Sequence, residues 1–259
     1  MPVPITEADT REPEYQFFLR DMVPPKSGVY EKIETAVLRP DQALPISRIN
    51  DLFLDGYLPG EFGYTQLEDG TLFVANLLNM PGVTPEMMDW WFAWHGLKPI
   101  RYKLWDKDEH YDISTSDPER RKNPSIPLRQ RYWDTVDCAV EENPIDGPHQ
   151  VFIHFRNPAD IGFSPELLAK FDGTIICAAD KTSPVVMCHF VRPVTGGVEL
   201  RTRFWMGTSI VDGAPVRALP PDGRIPLAVG KNVLTHNNKE FANLAAILPE
   251  LYQKFQNEW

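Results

Sequence analysis

Two residues near the C-terminus have a spacing that suits a shared metal ion. His236 and Glu240 lie four residues apart in the segment HNNKE. On a helix this spacing places both side chains on one face, one turn apart, where an imidazole and a carboxylate can bind the same divalent cation. Solvent-exposed ion pairs on helices have the same spacing, so the pair alone leaves both interpretations open.

Two further candidate ligands lie in the middle of the chain. His110 follows the charged segment DKDE, which by itself is typical of a solvated surface, and the predicted strand DTVDCAVEE ends in Glu141 and Glu142. Side chains alternate between the two faces of a strand, so only one of these glutamates can point inward. Glu141 shares its face with Asp137 and Ala139, and Glu142 lies on the opposite face.

Regular elements are predicted around these residues. Thr84 is a candidate N-cap for a helix that should end where Gly96 adopts a left-handed conformation. A strand pair is predicted over residues 62–82, and a long helix, interrupted by Pro249, over residues 230–256. Between the two helices, six segments rich in β-branched and aromatic residues predict antiparallel strands: IRYKLW, YWDTVDCAVEE, HQVFIHF, GTIICAAD, PVVMCHFVRP and GVELRTRFWMG.

These elements predict an α+β fold of the helix-grip type, in which a curved antiparallel sheet wraps around a long C-terminal helix. Residues 1–60 are rich in proline and contain one short predicted helix, so we expect a small N-terminal lobe before a larger domain over residues 61–259. Such a sheet leaves a cavity next to the helix. The chain's seven tryptophans and fourteen phenylalanines suit the lining of a cavity for flat aromatic ligands.

Composition and charge argue against several classes of function. The 259 residues include 26 basic and 36 acidic side chains, and the formal net charge of −10 repels nucleic acids and anionic membrane surfaces. No segment has the pattern of a membrane helix or a signal peptide, and three cysteines are too few for a disulfide framework. A cytoplasmic protein without nucleic-acid or membrane partners is therefore expected. The absence of a glycine-rich phosphate motif argues against a nucleotide cofactor.

Several segments, taken together, resemble the 2,4-diacetylphloroglucinol hydrolase family, which also includes phloretin hydrolase. They follow the same order over about residues 60–259, and they are WWFAWHGLKPIRYKLWDKDEH, VDCAVEE, FRNPADIGF, VELRTRFWMG and HNNKE. The resemblance implies a helix-grip catalytic domain, a small N-terminal part that takes part in a homodimer, and a metal site.

The resemblance also implies which residues bind the metal. The family pattern has a histidine, a glutamate about thirty residues later, and a His-x-x-x-Glu on the C-terminal helix. These positions correspond to His110, Glu141, His236 and Glu240, and the gap of 31 residues favours Glu141 over Glu142. Two imidazoles and two carboxylates suit Zn²⁺, although Mn²⁺, Fe²⁺ and Co²⁺ are compatible with the same set.

Further roles in the cavity follow from the same resemblance. Tyr102 and His189 are expected to contact the substrate and to take part in proton transfer. Phe204 stands where the family has a substrate-contacting tyrosine, and Ile113 stands where it has an asparagine, so the substrate contacts are expected to differ. His95 is a rival ligand, although a histidine in the last turn of a helix often interacts with the helix dipole instead.

The expected function is a metal-dependent hydrolysis of the carbon–carbon bond between a phenolic ring and an acyl group. The substrate would be a small phenolic ketone, and a carboxylic acid would be released. The alternative is a non-catalytic or cyclase-like helix-grip protein that binds an aromatic polyketide. The four-ligand set favours the enzyme, because a simple binder has no use for two carboxylates in an apolar cavity.

Overall fold

A single antiparallel sheet dominates the computed structural model, which describes residues 2–142, 147–179 and 184–259. Within these ranges its eight strands are β1 (Gly63–Gln66), β2 (Leu72–Pro81), β3 (His110–Thr115), β4 (Val136–Glu141), β5 (His149–Arg156), β6 (Thr174–Ala179), β7 (Val185–Val194) and β8 (Gly197–Met206). Their order across the sheet is β1-β2-β8-β7-β6-β5-β4-β3. A separate hairpin follows, with strands β9 (Thr208–Val211) and β10 (Ala214–Arg217).

Eight α-helices and several 3₁₀ segments are present in the same ranges. The α-helices are α1 (Glu7–Arg11), α2 (Tyr15–Phe18), α3 (Val29–Glu34), α4 (Pro85–Trp94), α5 (Pro99–Lys103), α6 (Pro118–Lys122), α7 (Pro165–Leu168) and α8 (Leu227–Phe255). The 3₁₀ segments are Pro40–Gln42, Ile46–Phe53, His95–Leu97, Leu128–Gln130 and Pro158–Ile161. No helix in these ranges combines the length and hydropathy that crossing a bilayer requires.

The sheet is covered on both faces. Strand β6 shows this most clearly, because all six residues of TIICAA are buried. Ile176 and Ala178 belong to a core cluster with residues of α4 and α8, whereas Ile175 and Cys177 belong to a cluster with Leu44 and other residues before the sheet. A continuous apolar run is typical of a strand that is buried on both sides.

The predicted helix-grip architecture is confirmed. Thr84 caps α4, since its side chain accepts a hydrogen bond from the backbone N–H of Met87 at 3.2 Å. The C-terminal helix begins at Leu227, three residues before the predicted start, and contains Pro249. It packs mainly against β2 and β1, while α4 contacts α8 and β6. The long helix thus lies along one end of the sheet, and α4 lies over its middle strands.

Three local predictions were wrong. The segment IRYKLW is not a strand, because Pro99 starts the short helix α5, which runs through most of it. The strand β3, whose residues are mostly polar, was missed. Gly96 is not left-handed and lies in a 3₁₀ turn, where a Cβ atom would be 2.4 Å from Arg121 Nη1 and 2.7 Å from Asp137 Oδ2. Glycine is needed there for close packing.

The residues before the sheet pack against it and against the helices. Phe17 belongs to the cluster around α4 and α8, and Ile33 belongs to a third cluster with β1 and β2. Leu44, Ile49 and Leu52 cover the opposite face of the sheet. The segment over residues 1–60, for which a separate lobe was predicted, thus contributes side chains to all three core clusters in its described part.

Candidate active site

A cavity of 210 Å³ lies between the sheet and α8. Its wall is mostly apolar and consists of Phe92, Trp105, Val151, Phe152, Ile153, Phe155, Ala178, Val185, Met187 and Phe204. Its polar residues are His95, Tyr102, Glu141, His189, His236 and Glu240. Six of the seven predicted site residues therefore line this one cavity. The seventh, His110, lies behind Tyr102, with the two rings parallel to within 4° and their centroids 3.9 Å apart.

Three of the four predicted ligands meet at one edge of the cavity. The Nε2 atoms of His110 and His236 are 3.4 Å apart, although 126 residues separate them in the chain. The Oε2 atom of Glu240 is 3.7 Å from the first of these nitrogens and 3.8 Å from the second. The fourth residue, Glu141, is the cross-strand partner of His110 in the register of β3 and β4. Opposed residues of paired strands have side chains on the same face.

Hydrogen bonds to neighbouring residues orient the side chains of His110, Glu240 and Glu141. The Nδ1–H of His110 donates to the backbone carbonyl of Tyr102 at 3.3 Å, which leaves Nε2 unprotonated toward the cavity. The Nδ2–H of Asn237 donates to Oε1 of Glu240 at 2.9 Å. The hydroxyl of Tyr102 donates to Oε1 of Glu141. His110, Glu240 and Glu141 thus each have one atom held by a neighbouring residue.

The remaining candidate ligand, His236, contacts Glu109, a residue that the sequence analysis did not identify. Its Nδ1 lies 2.5 Å from Oε2 of Glu109. Asp106 also approaches this nitrogen, at 4.0 Å, and its Oδ2 is a buried atom with no hydrogen-bond partner among the described residues. Asp106, His110 and His236 each offer a ligand atom within 4.8 Å of the others. Oε2 of Glu240 lies near both Nε2 atoms as well, so Asp106 and Glu240 are both candidate carboxylate ligands here.

Burial and the neighbouring carboxylates set the protonation of this cluster. Burial lowers the pKa of His110 well below its usual value, so its imidazole is neutral. Burial also acts to lower the pKa of His236, but the charges of Glu240, Glu109 and Glu141 outweigh it and raise this pKa to about 10. The pKa of Glu240 is raised to about 8, chiefly by burial, with the charge of Glu141 adding to the effect. Without a metal, His236 is therefore the protonated base among these carboxylates, and an ion that binds its Nε2 would displace that proton.

The geometry also fits a small divalent ion. Ligand atoms at 2.0–2.2 Å from a tetrahedral metal lie about 3.3 Å from one another. The three separations among Nε2 of His110, Nε2 of His236 and Oε2 of Glu240 are 3.4, 3.7 and 3.8 Å. Small side-chain movements would bring these atoms to the separations of a tetrahedral site. The residues present can thus hold a metal of the type that binds nitrogen and oxygen.

Two other predicted residues occupy the cavity wall. Burial and the charge of Glu141 raise the pKa of Tyr102 well above its usual value, so its phenol stays protonated. Burial lowers the pKa of His189 to about 3, which makes its imidazole neutral at pH 7. The Nδ1 atom of His189 is 2.8 Å from the hydroxyl oxygen of Thr202, so Nε2 is the nitrogen available to a ligand. Phe204 contacts the ring of His189 edge-on at 6.4 Å between centroids.

The remaining candidates lie outside the ligand cluster. Glu142 points away from the cavity and accepts a hydrogen bond from the hydroxyl of Tyr111 at 2.7 Å. His95 lines the cavity, and its Nδ1–H donates to the carbonyl of Trp91 at 2.8 Å. Burial lowers the pKa of His95 to about 3, so it carries no charge to interact with a helix dipole. Ile113 is buried in the main core cluster.

Sequence reasoning missed Glu109, Asp106 and Asn237. The local signal for two of them was their position next to a predicted ligand, since Glu109 directly precedes His110 and Asn237 directly follows His236, whereas Asp106 lies four residues before His110. An acidic residue beside a ligand histidine can be read as a candidate hydrogen-bond partner of that ligand set, although here Glu109 contacts the histidine of the distant helix.

Comparisons with known proteins agree over most of the chain. It is 32% identical over 260 residues to phloretin hydrolase of Eubacterium ramulus, covering 96% of this chain and 93% of that protein. It is 28% identical over 266 residues to 2,4-diacetylphloroglucinol hydrolase of a Pseudomonas species, covering 94% and 88%. A solved structure of a protein of unknown function from Staphylococcus aureus matches with a TM-score of 0.40 and 9% identity, covering 72% and 98%. The sequence pattern of the DAPG hydrolase PhiG domain matches residues 44–253, and the chain belongs to this family.

Proposed function

We propose that this protein hydrolyses the carbon–carbon bond between a phenolic ring and an acyl group, with a divalent metal as cofactor. The observation that supports this best is the convergence of His110, His236 and Glu240 within 3.8 Å of one another beside an aromatic cavity. Two relatives are named for the hydrolysis of phloretin and of 2,4-diacetylphloroglucinol. The substrate class that we propose is therefore an acylphloroglucinol or a related phenolic ketone.

The metal would be held by His110, Glu141, His236 and Glu240. We propose Zn²⁺, because two imidazoles and two carboxylates form a borderline site, and Mn²⁺, Fe²⁺ and Co²⁺ are the competing ions. When bound, such an ion polarises a carbonyl and makes water a stronger nucleophile at neutral pH. Buried carboxylates beside an apolar wall need a compensating positive charge, which the ion would provide.

The proposed reaction consumes one water molecule. Its oxygen bonds to the acyl carbon, the bond between that carbon and the ring breaks, and the ring carbon takes up a proton. The products are a carboxylic acid and a ring with hydrogen in place of the acyl group. Hydroxyls flanking the acyl group allow the ring to react as its keto form, so the cleavage is a retro-Claisen step.

Tyr102 and His189 would bind the phenolic ring and take part in proton transfer during this step. Tyr102 has a protonated phenol at the polar end of the cavity, and it would donate its one proton to a substrate oxygen in place of Glu141 when metal and substrate are bound. His189 is neutral, and its Nε2 can accept or relay a proton. Phe204 offers only an apolar surface next to His189, so this side of the substrate would be bound without a hydrogen bond from residue 204.

The alternative proposal is a helix-grip protein that binds an aromatic polyketide without catalysis or with cyclase-like activity. The mostly apolar wall of the cavity is the observation that favours it. We also propose that the protein forms a homodimer in which residues 1–60 take part, as the family resemblance implies.

One experiment separates the two proposals. The purified protein is analysed for transition metals, reconstituted with Zn²⁺, and assayed with acylphloroglucinols and dihydrochalcones while the released acid is measured. We expect about one metal per chain and acid release that stops after chelation. Less than about a tenth of an equivalent of metal, together with ligand binding and no acid release after reconstitution, would support the binding protein.

A further inference from the structure

The side chain of Glu109 connects β3 to α8 at the edge of the ligand cluster. Glu109 directly precedes β3, and its backbone carbonyl accepts a hydrogen bond from the N–H of Glu142 at 2.8 Å. Its Oε2 atom lies 2.5 Å from Nδ1 of His236 on α8. Its backbone is thereby fixed by the sheet while its carboxylate reaches the helix.

A second contact fixes the same carboxylate from the other side. The ammonium of Lys239 donates to Oε1 of Glu109 at 2.5 Å and lies 3.1 Å from Oδ1 of Asp106. Lys239 follows His236 by three residues, so both side chains lie on one face of α8. Glu109 therefore uses one oxygen for the histidine and the other for the lysine, and its carboxylate cannot rotate freely.

This contact decides which nitrogen of His236 is available. A carboxylate can only accept, so Nδ1 carries the proton that is donated to Glu109. The other nitrogen, Nε2, then faces Nε2 of His110 and Oε2 of Glu240. A carboxylate that accepts from the outer nitrogen of a histidine fixes the ring orientation and makes the inner nitrogen a better metal ligand.

We propose that Glu109 is a positioning residue for the metal, which orients His236 and strengthens its bond to a divalent cation. The inference rests on the metal site of the proposed function. Glu109 is not one of the proposed ligands and would act on the ion only through its hydrogen bond with His236. Loss of Glu109 should therefore weaken metal binding without removing a ligand.

The test measures metal affinity rather than catalysis. Apoprotein is titrated with Co²⁺ alone and with Zn²⁺ alone, in competition with a chromophoric chelator, for the unchanged chain and for Glu109→Gln, Glu109→Ala and Asp108→Asn. Asp108→Asn is the matched control, because Asp108 also lies near Lys239, at 3.6 Å, and is about half exposed. It removes the same charge without touching His236.

We expect Glu109→Gln to weaken binding of both ions about 10- to 100-fold, Glu109→Ala to weaken it at least as much, and Asp108→Asn to change it less than about twofold. The absorption spectrum of bound Co²⁺ should change in the two Glu109 variants only. Thermal unfolding in chelator checks that the variants fold. Equal affinities for Glu109→Gln, Asp108→Asn and the unchanged chain would overturn the inference alone. Failure of the unchanged chain to bind either ion would overturn the metal site with it.

Discussion

At the scale of single residues, two neighbouring glutamates have opposite environments. Glu141 lines the cavity and accepts a hydrogen bond from the buried Tyr102, whereas Glu142 accepts one from Tyr111 on the outer face. The two acid groups are adjacent in the chain, but Glu141 is the last residue of β4 and lines the cavity, whereas Glu142 follows the strand and does not. They therefore provide a matched pair for testing the proposed ligand set.

If the proposed function holds, we expect Glu141→Gln to lower the rate of ketone hydrolysis at least about 100-fold, because it removes a charged ligand of the proposed metal site. Glu142→Gln should retain nearly the full rate. Steady-state assays and metal analysis of both variants provide the measurement. A larger loss for Glu142→Gln would move the ligand to the outer face and contradict the assignment of Glu141.

The sequence predicted which residues lie together at the cavity better than it predicted the hydrogen bonds that orient them. Helix geometry placed His236 and Glu240 on one face, and strand alternation allowed only one of Glu141 and Glu142 to point inward, but the family resemblance was needed to select His110 and Glu141. Glu109 was not found, because an acidic residue in DKDEH reads as part of a solvated surface. Only the packing of α8 across the start of β3 brings His236 to 2.5 Å from it.

At the scale of elements, a chain of buried amides joins α8 to the sheet. Asn76 on β2 donates to Oδ1 of Asn237 at 2.9 Å and accepts from Nδ2 of Asn238 at 2.8 Å. Asn237 in turn donates to Glu240. The chain of hydrogen bonds thus extends from the sheet to a proposed metal ligand.

We expect Asn76→Ala to lower the free energy of unfolding by about 2–4 kcal/mol, because it leaves the buried Oδ1 of Asn237 without its donor and removes the shorter of the two hydrogen bonds that Nδ2 of Asn238 donates. Asn79→Ala, at an exposed position of the same strand, should change it by less than about 0.5 kcal/mol. Urea unfolding measures both values. Similar stabilities for the two variants would show that the amide chain contributes little.

The errors in the predicted elements have identifiable physical causes. IRYKLW is rich in residues that favour strands, but Pro99 and the tight turn at Gly96 begin a short helix there. In β3, HYDIST, only His110 and Ile113 are buried, so no apolar alternation marks the strand. The large sheet and α8 were predictable because their patterns are long, whereas short elements depend on their neighbours.

At the scale of the whole molecule, Glu61 connects the segment before the sheet to the buried arginines of β8. Its carboxylate accepts hydrogen bonds from Arg201 and Arg203 and from the backbone N–H of Leu58 at 2.7 Å. Burial acts to raise the pKa of Glu61, but the two guanidinium groups outweigh it and lower the pKa to about 2. Both arginines are fully buried.

This lowered pKa predicts a loss of stability in acid. The ordinary pKa is 4.5, so the ionised carboxylate stabilises the fold above about pH 4.5, and its contribution is lost as the pH falls toward 2. The difference between these two pKa values corresponds to at most about 3 kcal/mol of folding free energy. Glu61→Gln should be less stable at pH 7 and lose less of its stability between pH 4.5 and 2, as measured by urea unfolding. Glu68→Gln, at an exposed position, should follow the unchanged chain.

The wide separation of His110 and His236 along the chain has a thermodynamic consequence. An unfolded polypeptide cannot present both imidazoles to one ion, so any metal bound at this point acts as a reversible cross-link that favours the native state. Free Zn²⁺ at about 100 times its dissociation constant would add about 2.7 kcal/mol by mass action and raise the melting temperature by about 5–10 °C. A calorimetric scan with and without chelator should reveal this increment, and His236→Ala should abolish it.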